Sequence, residues 1–171
     1  MKKRKMAKKI AKDVLKHLNS FRRVETGTYI SGEVPQLEGA EKNENAQDYV
    51  DTITEKCDVC ALGACMLSFV RLYDDVTLDD LNYRSISNYE LIEATFPTIK
   101  KKLLTAFSAK QLILIESAFE KESINNTLCI DVEDAISFGE AYPNNTDRLK
   151  AIMENIVENK GKFKPEILVE V

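Results

Sequence analysis

The chain of 171 residues has no tryptophan, one histidine (His17), four prolines and six glycines. So little Gly and Pro excludes collagen-like and low-complexity chains. One imidazole leaves few options for a His-based catalytic triad or a His-rich metal site. Neither Gly-x-x-x-x-Gly-Lys-Ser/Thr nor Gly-x-Gly-x-x-Gly occurs, so the two common phosphate-cradling loops are missing. Long apolar runs are missing as well. The longest stretch without a charge is Val59–Val70 (VCALGACMLSFV), well short of the roughly 18–20 residues that cross a bilayer. It reads as a buried core helix. The N-terminus opens MKKRKMAKK but reaches no apolar h-region, so no secretory signal is expected. In a reducing cytoplasm the acceptor patterns Asn125-Asn126-Thr127 and Asn144-Asn145-Thr146 stay unmodified, and the four cysteines stay thiols.

What is present is ordinary in bulk and uneven in distribution. Hydrophobic content of 44% and charged content of 30% are those of a globular protein. The length suits one domain that buries roughly two-thirds of its unfolded surface. The net charge of −4 hides a split. Residues 1–23 carry ten Lys/Arg and one acid, Asp13, a net of +9; residues 24–171 carry 14 basic and 27 acidic residues, a net of −13.

Residues 1–20 read as a basic amphipathic helix. Met6, Ile10, Val14 and Leu18 recur every four residues, Ala7, Ala11 and Leu15 widen the stripe, and lysines fill the other face. Residues 21–45 read as an irregular loop or hairpin, with strand-like Val24–Thr26 and Thr28–Ile30 interrupted by Gly27, Gly32, Pro35 and Gly39. Residues 46–160 read as a helical body. Ala46, Tyr49, Val50, Ile53 and Cys57 keep a 3, 4 rhythm, and Val59–Tyr73 is apolar nearly all round, which places it mid-bundle. Gly63 inside it is expected to admit a neighbouring helix. Thr77–Asp80 and Ser87–Glu90 look like helix starts, the second opening a helix over Tyr89–Phe96. Pro97 suits the first turn of the next helix. Ser108 with Gln111 is a capping box. Asp131 is expected to cap a short helix, Asn145 or Thr146 a last one, and Gly161 to end it in the left-handed region. Residues 161–171 form a tail whose EILVEV is expected to add a strand beside residues 24–30. The sum is a mainly α, single-domain bundle of six to eight helices over residues 1–171, with at most a marginal two-stranded β piece.

Two segments carry candidate chemistry. Cys57, Cys60 and Cys65, with Cys129, supply four soft ligands for a zinc site, and Cys57-x-x-Cys60 a dithiol. Against zinc, the second knuckle pair is missing; against redox work, no strand is expected before Cys60 and Asp58 sits between the thiols. The favoured reading is buried small hydrophobes, with no metal and no cofactor. Asp74-Asp75, Asp79-Asp80 and Glu133-Asp134 read as caps and solvated surface rather than a magnesium site. The second segment is the basic helix. Lys2, Lys3, Arg4, Lys5, Lys8, Lys9, Lys12 and Lys16, with Arg22 and Arg23, form a candidate contact for nucleic acid or another anion. The first reading of that helix is internal: its stripe docks on the bundle and its lysines lie over the acidic body.

The order of segments also resembles a group of small uncharacterised proteins common in phages and mobile elements of bacteria. A helix is followed by a basic, aromatic, Gly-containing turn (Phe21–Tyr29), a polar stretch, and Cys60-Ala61-Leu62-Gly63-Ala64 entering an apolar helix. The resemblance covers roughly residues 10–73; the extra cysteines and the long acidic connector depart from it. It implies the cytoplasm of a bacterial or infected bacterial cell and an accessory gene, and it transfers no activity or site residue. The expected function is a non-enzymatic accessory or regulatory protein acting through protein–protein contacts of a charge-polarised helical surface, with an unidentified protein partner and no membrane. The alternatives are a nucleic-acid-associated protein using the N-terminal helix, and a zinc- or thiol-dependent protein built on the cysteines.

Overall fold

Lys and Ala dominate the first segment and are strong helix formers, and it folds as α1 (Lys2–Lys16). The computed structural model describes residues 2–32, 44–73, 76–78, 97–123 and 130–166. Among these, six more helices follow: α2 (Val50–Lys56), α3 (Ala61–Tyr73), α4 (Pro97–Ala106), α5 (Ala109–Glu120), α6 (Ile130–Glu140) and α7 (Asn145–Glu158). The expected mainly α bundle is what the chain forms. The helices expected to start at Thr77–Asp80 and Ser87–Glu90 fall almost wholly outside the described residues.

Helix α3 is the centre. Every residue from Ala61 to Val70 is buried, as its all-round apolar sequence requires. Helix α1 lies against α3, α4 and α7, and α5 against α3, α6 and α7. The docking stripe of α1 behaves as its spacing predicts. Ala7, Ile10, Ala11 and Val14 are buried, while Met6, Leu15 and Leu18 pack half-buried against the same core. Burial of Ile10 and Val14 contributes about 1.5–3 kcal/mol each.

The β structure differs from expectation. Three strands, β1 (Arg23–Val24), β2 (Ile30–Gly32) and β3 (Cys57–Val59), form a sheet in the order β1-β3-β2. β1 runs parallel to β3 (Val24 opposite Val59) and β2 antiparallel to it (Ile30 opposite Val59). Residues 24–30 therefore do not close on each other as a hairpin; the cysteine segment enters between them. Cys57 is not the last turn of α2 but the first residue of a strand, and Val59 is not in α3. A three-residue strand is too short for its period to be told from a helical rhythm. Gly63 faces this sheet rather than a helix: a Cβ there would collide with the Tyr29 carbonyl oxygen.

Caps follow local chemistry. Ser108 accepts the Gln111 N–H at 3.1 Å, as the capping box requires. α7 is capped by Asn144, which accepts the Asp147 N–H at 3.0 Å, one residue before the expected Asn145. Helix α6 begins at Ile130, so Asp131 lies inside its first turn instead of capping it. Arg148, fully buried, ties helix ends together. It donates to the carbonyls of Phe119 (2.6 Å), Tyr142 (2.7 Å) and Pro143 (3.2 Å), and to Asn145. Burial holds its guanidinium below the usual arginine range, and Glu120 partly offsets this.

Candidate functional site

The basic helix presents two faces with different fates. Its one acid, Asp13, points inward and is buried. Asp13 Oδ2 accepts from Arg71 Nη1 at 2.5 Å, and Arg71 also reaches Asp51 Oδ1 (3.3 Å) and Thr54 Oγ1 (2.8 Å). His17 Nδ1 lies 2.9 Å from the Asp13 carbonyl oxygen and 3.5 Å from its carboxylate. This network joins α1, α2 and α3, so Asp13 and His17 are used inside the fold.

The outer face keeps its charge. Lys2, Lys3, Arg4, Lys5, Lys9, Lys12 and Lys16 are exposed and Lys8 is half-buried. Among the described residues none of these eight side chains forms an ion pair with an acid. The expected placement over the acidic body is therefore not made through ion pairs among the described residues. The stripe docks α1 on apolar residues. Arg22 and Arg23 are different: Arg22 Nε donates to the buried Asp58 of β3 at 2.7 Å, and Arg23 lies 3.5 Å from Glu25. They are structural partners of acids rather than members of an open cationic face.

The chain's other end adds three lysines that the sequence reading missed. After α7, Lys160 and Gly161 take positive φ (57° and 93°), and the Gly161 N–H donates to the Ile156 carbonyl at 2.7 Å. Gly161 abuts the backbone of Arg4 so closely that a Cβ would collide with the Arg4 carbonyl oxygen. The chain then runs extended and is clamped by two side-chain amides. Gln111 takes both backbone groups of Phe163 (2.6 and 3.0 Å), and Asn155 both of Lys164 (each 2.8 Å). Phe163 and Pro165 turn inward, so Lys162 and Lys164 turn outward, by the period of two of extended chain. Lys160, Lys162 and Lys164 are exposed and, among the described residues, unpaired with acids. The signal present in the sequence was the alternation Lys160-x-Lys162-x-Lys164 with Phe163 between.

Several concavities adjoin α1 or residues 160–164, one of them bounded by Lys162 and Lys164 together with Asp131 and Glu166. One of about 500 Å³ has Lys2, Lys3 and Arg4 on one side and Lys162 with Ser108 on the other. One of about 330 Å³ is bounded by Arg4, Lys160, Lys162 and Lys164, with Glu158 as its acid. A third, about 750 Å³, lies between α1, α3 and α4. Like charges that line one concavity repel one another. An anion that neutralises them removes that repulsion.

The cysteine segment is a different kind of place. Cys57, Cys60 and Cys65 are buried free thiols; Cys129 lies outside the described residues. A strand does precede Cys60, contrary to expectation: β3 delivers it to the start of α3. The thiol is nonetheless unsuited to nucleophilic or redox work. Cys60 Sγ accepts the Gly63 N–H at 3.4 Å, and the buried Glu116 accepts the Leu62 N–H at 3.0 Å, so a carboxylate already occupies the positive end of α3. Burial, reinforced by Glu116, pushes the Cys60 thiol well above the usual range, and Cys65 rises for the same reasons. Only the thiolate is reactive. Among the described residues no group of three or more His, Cys, Asp or Glu is placed to hold a metal ion. Of the carboxylate pairs, Asp74-Asp75 and Asp79-Asp80 lie outside the described residues, while Glu133 sits in the first turn of α6 and Asp134 follows it.

Among the described residues no helix is long and apolar enough to cross a membrane. Comparison with protein-family models, curated proteins and solved structures gives no match for this chain.

Proposed function

We propose that this chain is a non-enzymatic accessory protein that binds a polyanion, nucleic acid first, on the cationic seam formed by α1 and residues 160–164. The observation that carries the reading is that α1's outer face, enlarged by Lys160, Lys162 and Lys164, makes no ion pair among the described residues. It favours nucleic acid over a protein partner, because a row of cations that make no ion pair among the described residues suits a regular row of phosphates. Phosphate contacts release counterions, so affinity falls steeply with salt. About five contacts correspond to a loss of about 10²-fold on a single strand, and about 500-fold on a duplex, between 50 and 200 mM salt.

The test is fluorescence anisotropy with labelled single-stranded and duplex oligonucleotides across that salt range. The combined variant Lys2→Glu, Arg4→Glu, Lys162→Glu and Lys164→Glu is expected to lose about 10²-fold in affinity at low salt with an unchanged melting temperature. No binding by the native chain at 50 mM salt, or equal binding by the variant, overturns the reading.

A further inference from the structure

The third concavity is not merely charged. Its rim is basic and its floor is apolar and aromatic. Along α1, Lys2, Lys5, Met6 and Lys9 follow at i, i+3, i+4 and i+7, so they share one wall. The floor is Phe69 and Tyr73 at the end of α3, with ring centroids 5.4 Å apart and planes inclined by 46°. Met6 and Tyr73 are half-buried, so part of this floor is open to solvent. The Tyr73 hydroxyl is buried and makes no hydrogen bond among the described residues. Lys2, Lys5 and Lys9 stand over the floor without acid partners among those residues.

A ligand that satisfies only one of these features leaves the other unused. Duplex nucleic acid offers phosphates, but its bases are stacked inside, so the apolar floor would gain nothing. A simple polyanion such as heparin has the same shortfall. A single strand presents phosphates and free base faces together, and base stacking on aromatic side chains is how sequence-tolerant single-strand binders gain affinity beyond charge. From this complementarity we infer that the groove between α1 and α3 takes an unstacked base of a single-stranded nucleic acid against Met6, Phe69 and Tyr73, with Lys2, Lys5 and Lys9 on the flanking phosphates. This rests on the polyanion reading above and makes it selective for single strands. Tyr73 offers the base part of an aromatic face; the lysine stems extend the apolar wall while their heads stay in water.

The absence of tryptophan supplies the experiment. In Met6→Trp the indole is the sole tryptophan and sits in the groove. Its fluorescence is expected to be quenched by a 12-mer of thymidylate, and not by a duplex or by a heparin fragment. In a second variant, Tyr73→Leu, affinity for the thymidylate 12-mer is expected to fall about tenfold, with heparin affinity changed less than twofold. Equal quenching by duplex and single strand overturns the inference. So does quenching by laurate with none by the oligonucleotide, which would make the groove a site for an amphiphilic acid. A Tyr73→Leu loss that is equal for heparin and oligonucleotide also overturns it. If the native chain binds heparin, duplex and single strand alike, the polyanion reading survives and the groove inference falls. If it binds none of them, both fall.

Discussion

At the entry to α3, Glu116 is wholly buried and accepts the Leu62 N–H at 3.0 Å, with the Cys60 thiol beside it. On the outer face of α1, eight basic side chains meet no acid among the described residues. Both regions concentrate polar chemistry, and the cysteines of one and the lysines of the other were the candidate sites in the sequence. The difference is what each polar group has as a partner. Inside, an unmade hydrogen bond costs its full desolvation, so the buried carboxylate and the nearby thiol are held by amides and are not available to a ligand. Outside, water supplies the partner, so charges can be left in surplus at small cost to the fold. Availability follows from solvation rather than from how unusual a residue pattern is.

The comparison breaks first at Glu116. In Glu116→Ala the Leu62 N–H loses its acceptor and the core gains a cavity, and urea unfolding is expected to show a loss of about 3 kcal/mol or more. Gly63→Ala should cost a similar amount, because the new methyl meets backbone at Tyr29 and not a yielding side chain. Nucleic-acid affinity of the folded fraction should not change in either. The inner face of α1 comes next. Asp13→Asn takes from Arg71 its buried carboxylate and leaves only the exposed Asp51, for an expected loss of about 2 kcal/mol. A loss below about 0.5 kcal/mol would mean that α1 is held by apolar contact alone.

The thiols give a smaller effect with a definite sign. Burial raises Cys60 and Cys65 above the value they take in the unfolded chain, so the folded state keeps its protons when the unfolded state loses them. The stabilisation is complete below about pH 8.5, the unfolded thiol's range, and is lost as pH rises through the folded value. Above pH 9 stability is expected to fall by about 1.4 kcal/mol per pH unit for each thiol. The slope should drop in Cys60→Ala. An unchanged slope would mean that this thiol ionises alike in both states.

How far the sequence reached follows the range of the interactions involved. The stripe of α1, the Ser108 box and the bundle itself rest on contacts between residues three or four apart, which leave a periodic record. β3 does not, because a three-residue strand fits inside a helical rhythm, and its partners Val24 and Ile30 lie far back in the chain. The part of the cationic seam at residues 160–164 was less legible. Lys162 and Lys164 point outward because Gln111 and Asn155 clamp the intervening backbone, and nothing local to residues 160–164 announces a clamp on α5. The charge split was visible from the count; which charges would remain unpaired was not, since that depends on Asp13 turning inward to Arg71.

The smallest effect separates the two regions most sharply, because binding and stability should move in opposite directions. Lys8, Lys12 and Lys16 are spaced i, i+4 and i+8 along α1, so they repel in sequence. Lys12→Glu turns two repulsions into two attractive pairs, and stability is expected to rise by about 0.5 kcal/mol at low salt. The gain should shrink at high salt, where the pairs are screened. Polyanion affinity should fall by a few-fold in the same variant, because a negative charge now stands in the cationic face. A loss of about 1 kcal/mol or more on melting would place Lys12 in a structural contact, and the outer face of α1 would then resemble the inner one. A gain in stability with a loss of binding is the signature of a surface whose charges serve a ligand at the fold's expense.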